Sequence, residues 1–457
     1  MTKVSKRITL ILAILLSISI TFLTLQAVGI ESDVWWHLKF GQELLEGRRI
    51  DGIDTWSWVK NPDGSNLTWI QHEWLFALIL AVLNYMPGGM YVLSLLYVAC
   101  ISGYLLYRLF PILTTPKSLV FGTLFISIGC GFLLPASSRP HTLGIICVLA
   151  YMHFLWKYAY SRNTKYLVPL PLVAVFWTNV WGGTALLSVC MIGALLLQDL
   201  LKHGKILQTG LTTVLTTIAC FCTPVGWKSV LFRIFNSADQ SLVKEWAPTQ
   251  FKDVKAFWMI SLVVVIVLLY KRLQVFEWCI TAGFWVLASI WIRCVFLVLF
   301  VTVFLLIYHV TPGKSDKDLS DIFKSLWTGL VFLVSVCCIA SFAFLVSPAT
   351  TRMCNPVSQE VIISIKQENP QRLYTSMNSG YLIYNDIPVF VDSRADPYTE
   401  FYTDTLKVEV GQAPFESLND VWDFDYALIP KYSPLLDQLS EYPIIAQDNY
   451  WVFYKLK

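Results

Sequence analysis

Between residues 8 and 347 the chain repeats one pattern, apolar runs of roughly membrane-crossing length separated by short loops that hold most of the charge. A run of about 20 apolar residues matches the hydrocarbon thickness of a bilayer when helical. One soluble core cannot bury so many of them. The composition agrees, with 56% hydrophobic residues, 14% charged and a mean hydropathy of +0.58, an apolar excess that excludes an ordinary soluble enzyme. The net charge of +3, from 34 basic and 31 acidic residues, supplies no basic field for nucleic acid, which is excluded as a partner. Ten of the eleven cysteines lie in apolar runs from Cys100 to Cys338, where the thiol acts as a small hydrophobe and not as half of a disulfide framework. Cys354 alone falls in a polar stretch.

The start, MTKVSKR before apolar Ile8 to Gly29, is too long in its apolar part for a signal peptide and lacks a small-x-small cleavage site. It reads as an uncleaved first span, with Lys3, Lys6 and Arg7 holding the N-terminus in the cytoplasm. Further runs cover 91–110, 118–134, 141–157, 166–182, 184–201, 206–223, 257–270, 273–291, 294–311 and 326–347, which with the first make eleven. The run 73–86 ends at Pro87-Gly88-Gly89 and is too short to cross. Read as a re-entrant or interfacial helix, it leaves every inner loop basic (Arg108 and Lys117; Lys157, Arg162 and Lys165; Lys202 and Lys205; Lys271 and Arg272; Lys314, Lys317 and Lys324). A crossing there would invert that bias. The expected fold is an α-helical polytopic membrane domain over 1–347, with an outer loop at 30–90. A small extracytoplasmic α/β module follows over 348–457, where mixed charge, turn formers and the runs GYLIY, VFVD, YALIP and YWVFYK indicate short strands.

Under this topology the outer face collects Glu31, Asp33, His37, His72, Glu73, Arg139, His141, Asn179, Trp181, Lys228, Lys244 and Arg293. The acids nearest mid-membrane, Asp199 and Glu277, fall toward cytoplasmic ends, unlike the midplane groups of transporters. Any chemistry therefore belongs outside. In ESDVWWHLKFGQELLEG two carboxylates follow directly on a span. Asp33 suits a general base, and Glu31, Asp33 and Glu73 with His37 or His72 suit a divalent ion; a hydrated loop with an aromatic belt is the plainer alternative. Arg139 and Arg293 each open an inward span, as phosphate clamps or as snorkelling anchors. Asn179 and Trp181, before Gly182-Gly183, allow close backbone approach and sugar stacking or simple helix packing. Lys228 and Trp246 sit in a second amphipathic outer segment, a candidate for the substrate pocket or for membrane anchoring. Asp392, Arg394 and Asp396 in VFVDSRADPY share one face if the strand continues, and read as a structural ion pair. Asn66-Leu67-Thr68 is a lone sequon.

Taken together, DVWWHLKFGQELLEG, WIQHEWLF, the RPH start, WTNVWGG, TPVGWK, IRCVFLVLF, SGYLIY and VFVDSRADPY resemble a family of polytopic bacterial membrane proteins. That family is in turn similar to the GT-C superfamily, which includes oligosaccharyltransferases, protein O-mannosyltransferases and aminoarabinose transferases. The resemblance implies a membrane glycosyltransferase of cell-envelope glycan biosynthesis in the bacterial plasma membrane. It would take a polyprenyl-phosphate-linked sugar donor and transfer with inversion on the outer leaflet to a glycan, lipid or protein acceptor. It further implies an acidic base at Asp33 with Glu31 beside it, Arg139 and Arg293 on the donor phosphate, and a terminal module that helps bind acceptor or covers the site. Trp181 stands where the family pattern leads one to expect a histidine. The rivals are a non-enzymatic scaffold and a lipid-linked glycan flippase, the latter lacking a visible hydrophilic path. Grouping of Asp33, Arg139 and Arg293 would favour the enzyme.

Overall fold

Proline and extended backbone set where the long helices begin. The computed structural model describes residues 31–86, 138–230, 273–309 and 356–457, with parts of 89–104 and 248–262. Helices α1 (Asp33–Leu45) and α2 (Trp74–Asn84) lie in the first loop; α3 (Pro140–Ser161), α4 (Pro169–Leu201), α5 (Ile206–Phe221), α6 (Val275–Ile290) and α7 (Val295–His309) follow. Both α3 and α4 open on proline, whose missing N–H costs nothing at the first helical position. A break at Trp181 (φ −153°, ψ 65°) divides α4, and the expected spans 166–182 and 184–201 meet there. Residues 140–161 and 164–201 are long and apolar enough to cross a membrane. The runs 8–29, 118–134 and 326–347 lie outside the described residues, and 91–110 and 257–270 are described only in part, so the described residues account for some of the eleven expected spans. At 11 residues α2 is about 16 Å long, too short to cross. It packs on α1 at Gly41, where a Cβ would overlap the carbonyl of Ala77.

Helix α5 is inside out. It buries Thr209, Thr212 and Thr216 and exposes Leu207, Leu211, Val214, Leu215 and Ile218. The hydroxyls of Thr209 and Thr212 donate to carbonyls one turn back, at 3.0 Å and 2.8 Å, so hiding them leaves no polar group unpaired. In water this arrangement would waste the hydrophobic effect, whereas in lipid the leucines are solvated and small hydroxyl residues allow close helix contact.

Two polar clusters mark the ends of the bundle. At one, the buried Glu277 accepts from Trp156 Nε1 (3.2 Å) and Tyr160 Oη (2.8 Å) and pairs with His309 (2.9 Å), while Arg162 pairs with Asp199 (2.7 Å). The other gathers around Arg139, at the opposite end of the 22-residue α3 and so about 33 Å away.

The C-terminal module comprises α8 (Gln359–Glu368), β1 (Leu373–Thr375), α9 (Gly380–Tyr384), α10 (Tyr402–Glu409), α11 (Glu416–Trp422), β2 (Tyr426–Pro430), β3 (Ile444–Gln447) and β4 (Trp451–Lys455). Its sheet has the order β1-β2-β4-β3, with β1 parallel to β2 and the other pairs antiparallel. Alternation along β2 and β4 sends Ala427, Ile429 and Val452 into one core and Leu428, Trp451 and Phe453 into another. The first loop enters both: Val59 and Leu67 pack in the former, Trp36, Phe40, Trp56 and Trp69 in the latter.

Two expected strands are corrected. GYLIY forms the helix α9, which buries the neighbours Leu382 and Ile383 together, whereas a strand would send them to opposite faces. VFVD stays outside the sheet, touching the first loop through the Ser57–Val389 bridge. The strand therefore does not continue through Asp392, Arg394 and Asp396; Asp396 instead heads a short 3-10 turn and accepts from the Ile70 amide at 3.0 Å. The expected boundary at 347/348 lies outside the described residues.

Candidate functional site

The site begins with two residues that local sequence forces into position. Asp33 opens α1, where the helix N-terminus favours a carboxylate. Arg139 precedes Pro140, which pushes it into extended backbone (φ −118°, ψ 163°) and out of the helix it leads. The guanidinium spans both acids, with Nη1 2.7 Å from Glu31 Oε2 and Nη2 2.6 Å from Asp33 Oδ2. Each hydrogen bond is charge-assisted, and together they fix the orientation of the buried Asp33 carboxylate.

Arg293, in the short turn Ile292–Cys294 between α6 and α7, lies 5.8 Å from the Trp181 ring centroid. Trp181 packs on Gly144 of α3, where any Cβ would overlap its indole, and faces His141 edge-on at 6.3 Å. His141 stands in the fields of Arg139, Arg293 and Glu73. The break in α4 thus turns an indole into a shelf beneath a second guanidinium, and His141 lies in the field of both arginines.

On the loop side, Glu73 lies 3.6 Å from His37 Nε2 and 3.5 Å from His72 Nε2, and the Ile70 carbonyl is 2.7 Å from His72 Nδ1. His37 is 1% exposed and its Nδ1 has no hydrogen-bond partner. Burial pushes its imidazole down to about 3, against the opposing pull of Glu73. Held neutral in the fold, His37 takes up a proton only on unfolding as pH falls below its ordinary 6.5, so stability is lost from there down to about 3, at about 1.4 kcal/mol per pH unit. His37→Gln is expected to unfold at pH 5 with a penalty relative to pH 7.5 about 2 kcal/mol smaller than that of the parent protein. Thermal unfolding of both at the two pH values checks this, and equal penalties would show that His37 is not the titrating group.

Other sequence candidates divide. Asn179 accepts from Trp74 Nε1 (2.7 Å) and donates to the Val175 and Cys222 carbonyls (2.8 Å and 2.9 Å), so its amide ties α2, α4 and the end of α5 together. Lys228 is exposed, and Trp246 lies outside the described residues, as does Lys244. For a divalent ion the donors do not converge: Glu31 and Asp33 turn to Arg139, Glu73 to two histidines, and among the described residues no group of three or more His, Cys, Asp or Glu is arranged as a ligand set. Sequence reasoning missed Ser32 and Asn378. Ser32 Oγ donates to Asn378 Oδ1 at 3.2 Å and lies 3.5 Å from Asp33 Oδ1. A contact across 346 residues leaves no trace in spacing.

The arrangement offers a carboxylate oriented by one guanidinium, with a second guanidinium at the same end of the bundle, groups able to receive a proton and to bind anions. The chain matches no family model and none of the curated proteins compared with it. Among solved structures it is similar to the archaeal oligosaccharyltransferase AglB from Archaeoglobus fulgidus, in complex with an inhibitory peptide and a dolichol-phosphate. The TM-score is 0.53 at 10% identity, over 94% of this chain and 70% of that one. At that identity the likeness is one of fold, a mostly helical chain carrying a small C-terminal sheet.

Proposed function

We propose that the chain is an integral membrane glycosyltransferase of eleven spans, N-terminus cytoplasmic and terminal module outside. In this reading it moves a sugar from a polyprenyl-phosphate-linked donor to an acceptor on the outer face. The observation that carries this reading is the gathering of Asp33, Glu31, Arg139 and Arg293 at one end of the bundle. The fold likeness to an oligosaccharyltransferase solved with dolichol-phosphate supports it, as does the inside-out α5, which suits lipid.

In the proposed reaction an acceptor hydroxyl attacks the anomeric carbon of the donor sugar from the face opposite the phosphate. Asp33 takes the hydroxyl proton as the new glycosidic bond forms. The bond from the anomeric carbon to the phosphate oxygen breaks, and the lipid phosphate leaves with the electron pair. Arg139 and Arg293 offset the charge that grows on that phosphate, and a single displacement inverts the anomeric centre.

Lysine substitutions test the arginines, because an ammonium snorkels as well as a guanidinium but cannot bind bidentately. Arg139→Lys and Arg293→Lys are each expected to weaken binding of a polyprenyl-phosphate sugar to the nanodisc-reconstituted protein by about 1–3 kcal/mol. The double variant should depart from the sum of the singles if both touch one phosphate. Unchanged binding in both single variants would make the arginines membrane anchors. Absence of transfer from polyprenyl-phosphate sugars by the reconstituted chain, with accumulation of no such lipid in a deletion strain, would end the transferase reading itself.

A further inference from the structure

Trp35 of the first loop and residues of the terminal module line an open cleft of about 110 Å³. Trp35 of α1 forms one wall; Asn378, Tyr381, Tyr432, Tyr450 and Trp451 form much of the rest. None of its thirteen lining residues is charged or a histidine, in contrast to the arginine-rich cluster next door. A phosphate would find no counter-charge there, so the matching ligand is neutral. At about 10–15 Å³ for each water it has room for several waters, or for one face of a small ring whose rim stays in solvent. Aromatic faces with amide and hydroxyl edges complement a pyranose, which is apolar on its C–H face and polar around its rim. Trp35 Nε1 is buried and has no hydrogen-bond partner. The indole is itself caged by Tyr381 and Tyr384, with centroids at 4.7 Å and 5.3 Å. An extended peptide fits less well: the wall residues Leu428 and Trp451 belong to β2 and β4, inner strands already paired on both edges.

The cavity is adjacent to the carboxylate. Asn378, in its wall, accepts from Ser32 Oγ, the same hydroxyl that lies 3.5 Å from Asp33 Oδ1. Gly380 permits this approach, because a Cβ there would overlap the carbonyl oxygen of Ser32.

We propose that this cleft binds one uncharged sugar ring, making the acceptor a glycan or a glycan-bearing molecule; the word acceptor rests on the transferase reading, whereas sugar binding does not. The test uses the full chain in nanodiscs and saturation-transfer NMR with methyl β-glucopyranoside, methyl α-mannopyranoside, N-acetylglucosamine and a capped neutral tripeptide as probes. Saturable binding of at least one saccharide is expected, weakened about tenfold by Trp35→Ala and by Tyr450→Ala. Tyr450 is 46% exposed and its backbone alone pairs with Lys431 and Asp448, so its variant folds even if the Trp35 one does not. Binding of no saccharide, binding unchanged in Tyr450→Ala, or saturation by the peptide instead would overturn the proposal. Saccharide binding without sugar transfer would sink the transferase reading and leave the cleft. Transfer with an acceptor KM unchanged in Tyr450→Ala would do the reverse.

Discussion

Asp33→Asn is expected to lower the rate of sugar transfer by about 10²-fold or more while the protein stays folded. Asparagine keeps the size of the side chain and an oxygen that can accept from Arg139 Nη2, now 2.6 Å from Asp33 Oδ2, so the scaffold is preserved. What disappears is the group that receives the hydroxyl proton in the proposed reaction. The accompanying stability change should stay near 1 kcal/mol, since the ion pair it weakens is partly open to solvent. Glu31→Gln should cost less in rate, because Glu31 is 43% exposed and stands one step further from the buried side of the cluster. Transfer rates and unfolding midpoints measured on one reconstituted preparation separate the two effects. Parent-like turnover by Asp33→Asn would remove the base from the mechanism.

The largest stability effect is expected at Arg394. Its Nε donates to both oxygens of Asp392 (2.9 Å and 3.0 Å), Nη2 to Asp392 Oδ2 (2.6 Å) and to Tyr398 Oη (2.9 Å), and Nη1 to Asp54 Oδ1 (2.9 Å). The guanidinium also lies 4.7 Å and 4.5 Å from the ring centroids of Trp56 and Trp69. All three charged residues are buried. Arg394→Met leaves two carboxylates without compensation in that interior, a loss of about 3–5 kcal/mol. For a unit of this size that lowers the unfolding midpoint by on the order of 10 °C. Arg394→Lys keeps the charge, loses the fork and should fall between. Because Asp54 also caps the amides of Trp56 and Ser57 (3.3 Å and 3.1 Å), the first loop should become protease-sensitive together with the module. An Arg394→Met protein with an unshifted midpoint would show that the network is replaceable.

These two sites also measure how far the sequence could be read. Long apolar periods announce helices because burial of an entire run dominates local preference, and α3 and α4 appear where the runs predict them. The five residues of GYLIY are too few to tell period 2 from period 3.6, and the packing of Leu382 and Ile383 decides for helix. Asp392 and Arg394 read correctly as an ion pair because they are neighbours. Their third member, Asp54, is 340 residues away and invisible. The same holds at the candidate site. Acidic and basic residue types beside spans were visible, but that Arg139 would reach back to Glu31 and Asp33, or that the Trp181 break would seat Arg293, depends on tertiary approach alone.

The cores shared by the first loop and the terminal sheet set the order of events during synthesis. Trp36 Nε1 donates to Ser393 Oγ across 357 residues, so the ribosome needs roughly 20–70 s between making one partner and the other, at about 5–20 residues per second. Through that interval Trp36, Phe40, Trp56 and Trp69 lack the sheet against which they finally pack. In the proposed topology the nascent chain therefore carries an aromatic, aggregation-prone surface outside the membrane until its last strand arrives. A nascent-chain pulse chase should find residues 50–71 cleavable by external protease until residues 451–455 have emerged, then abruptly protected. Any frameshift or stop codon ahead of β4 would leave that surface open for quality-control proteases to find.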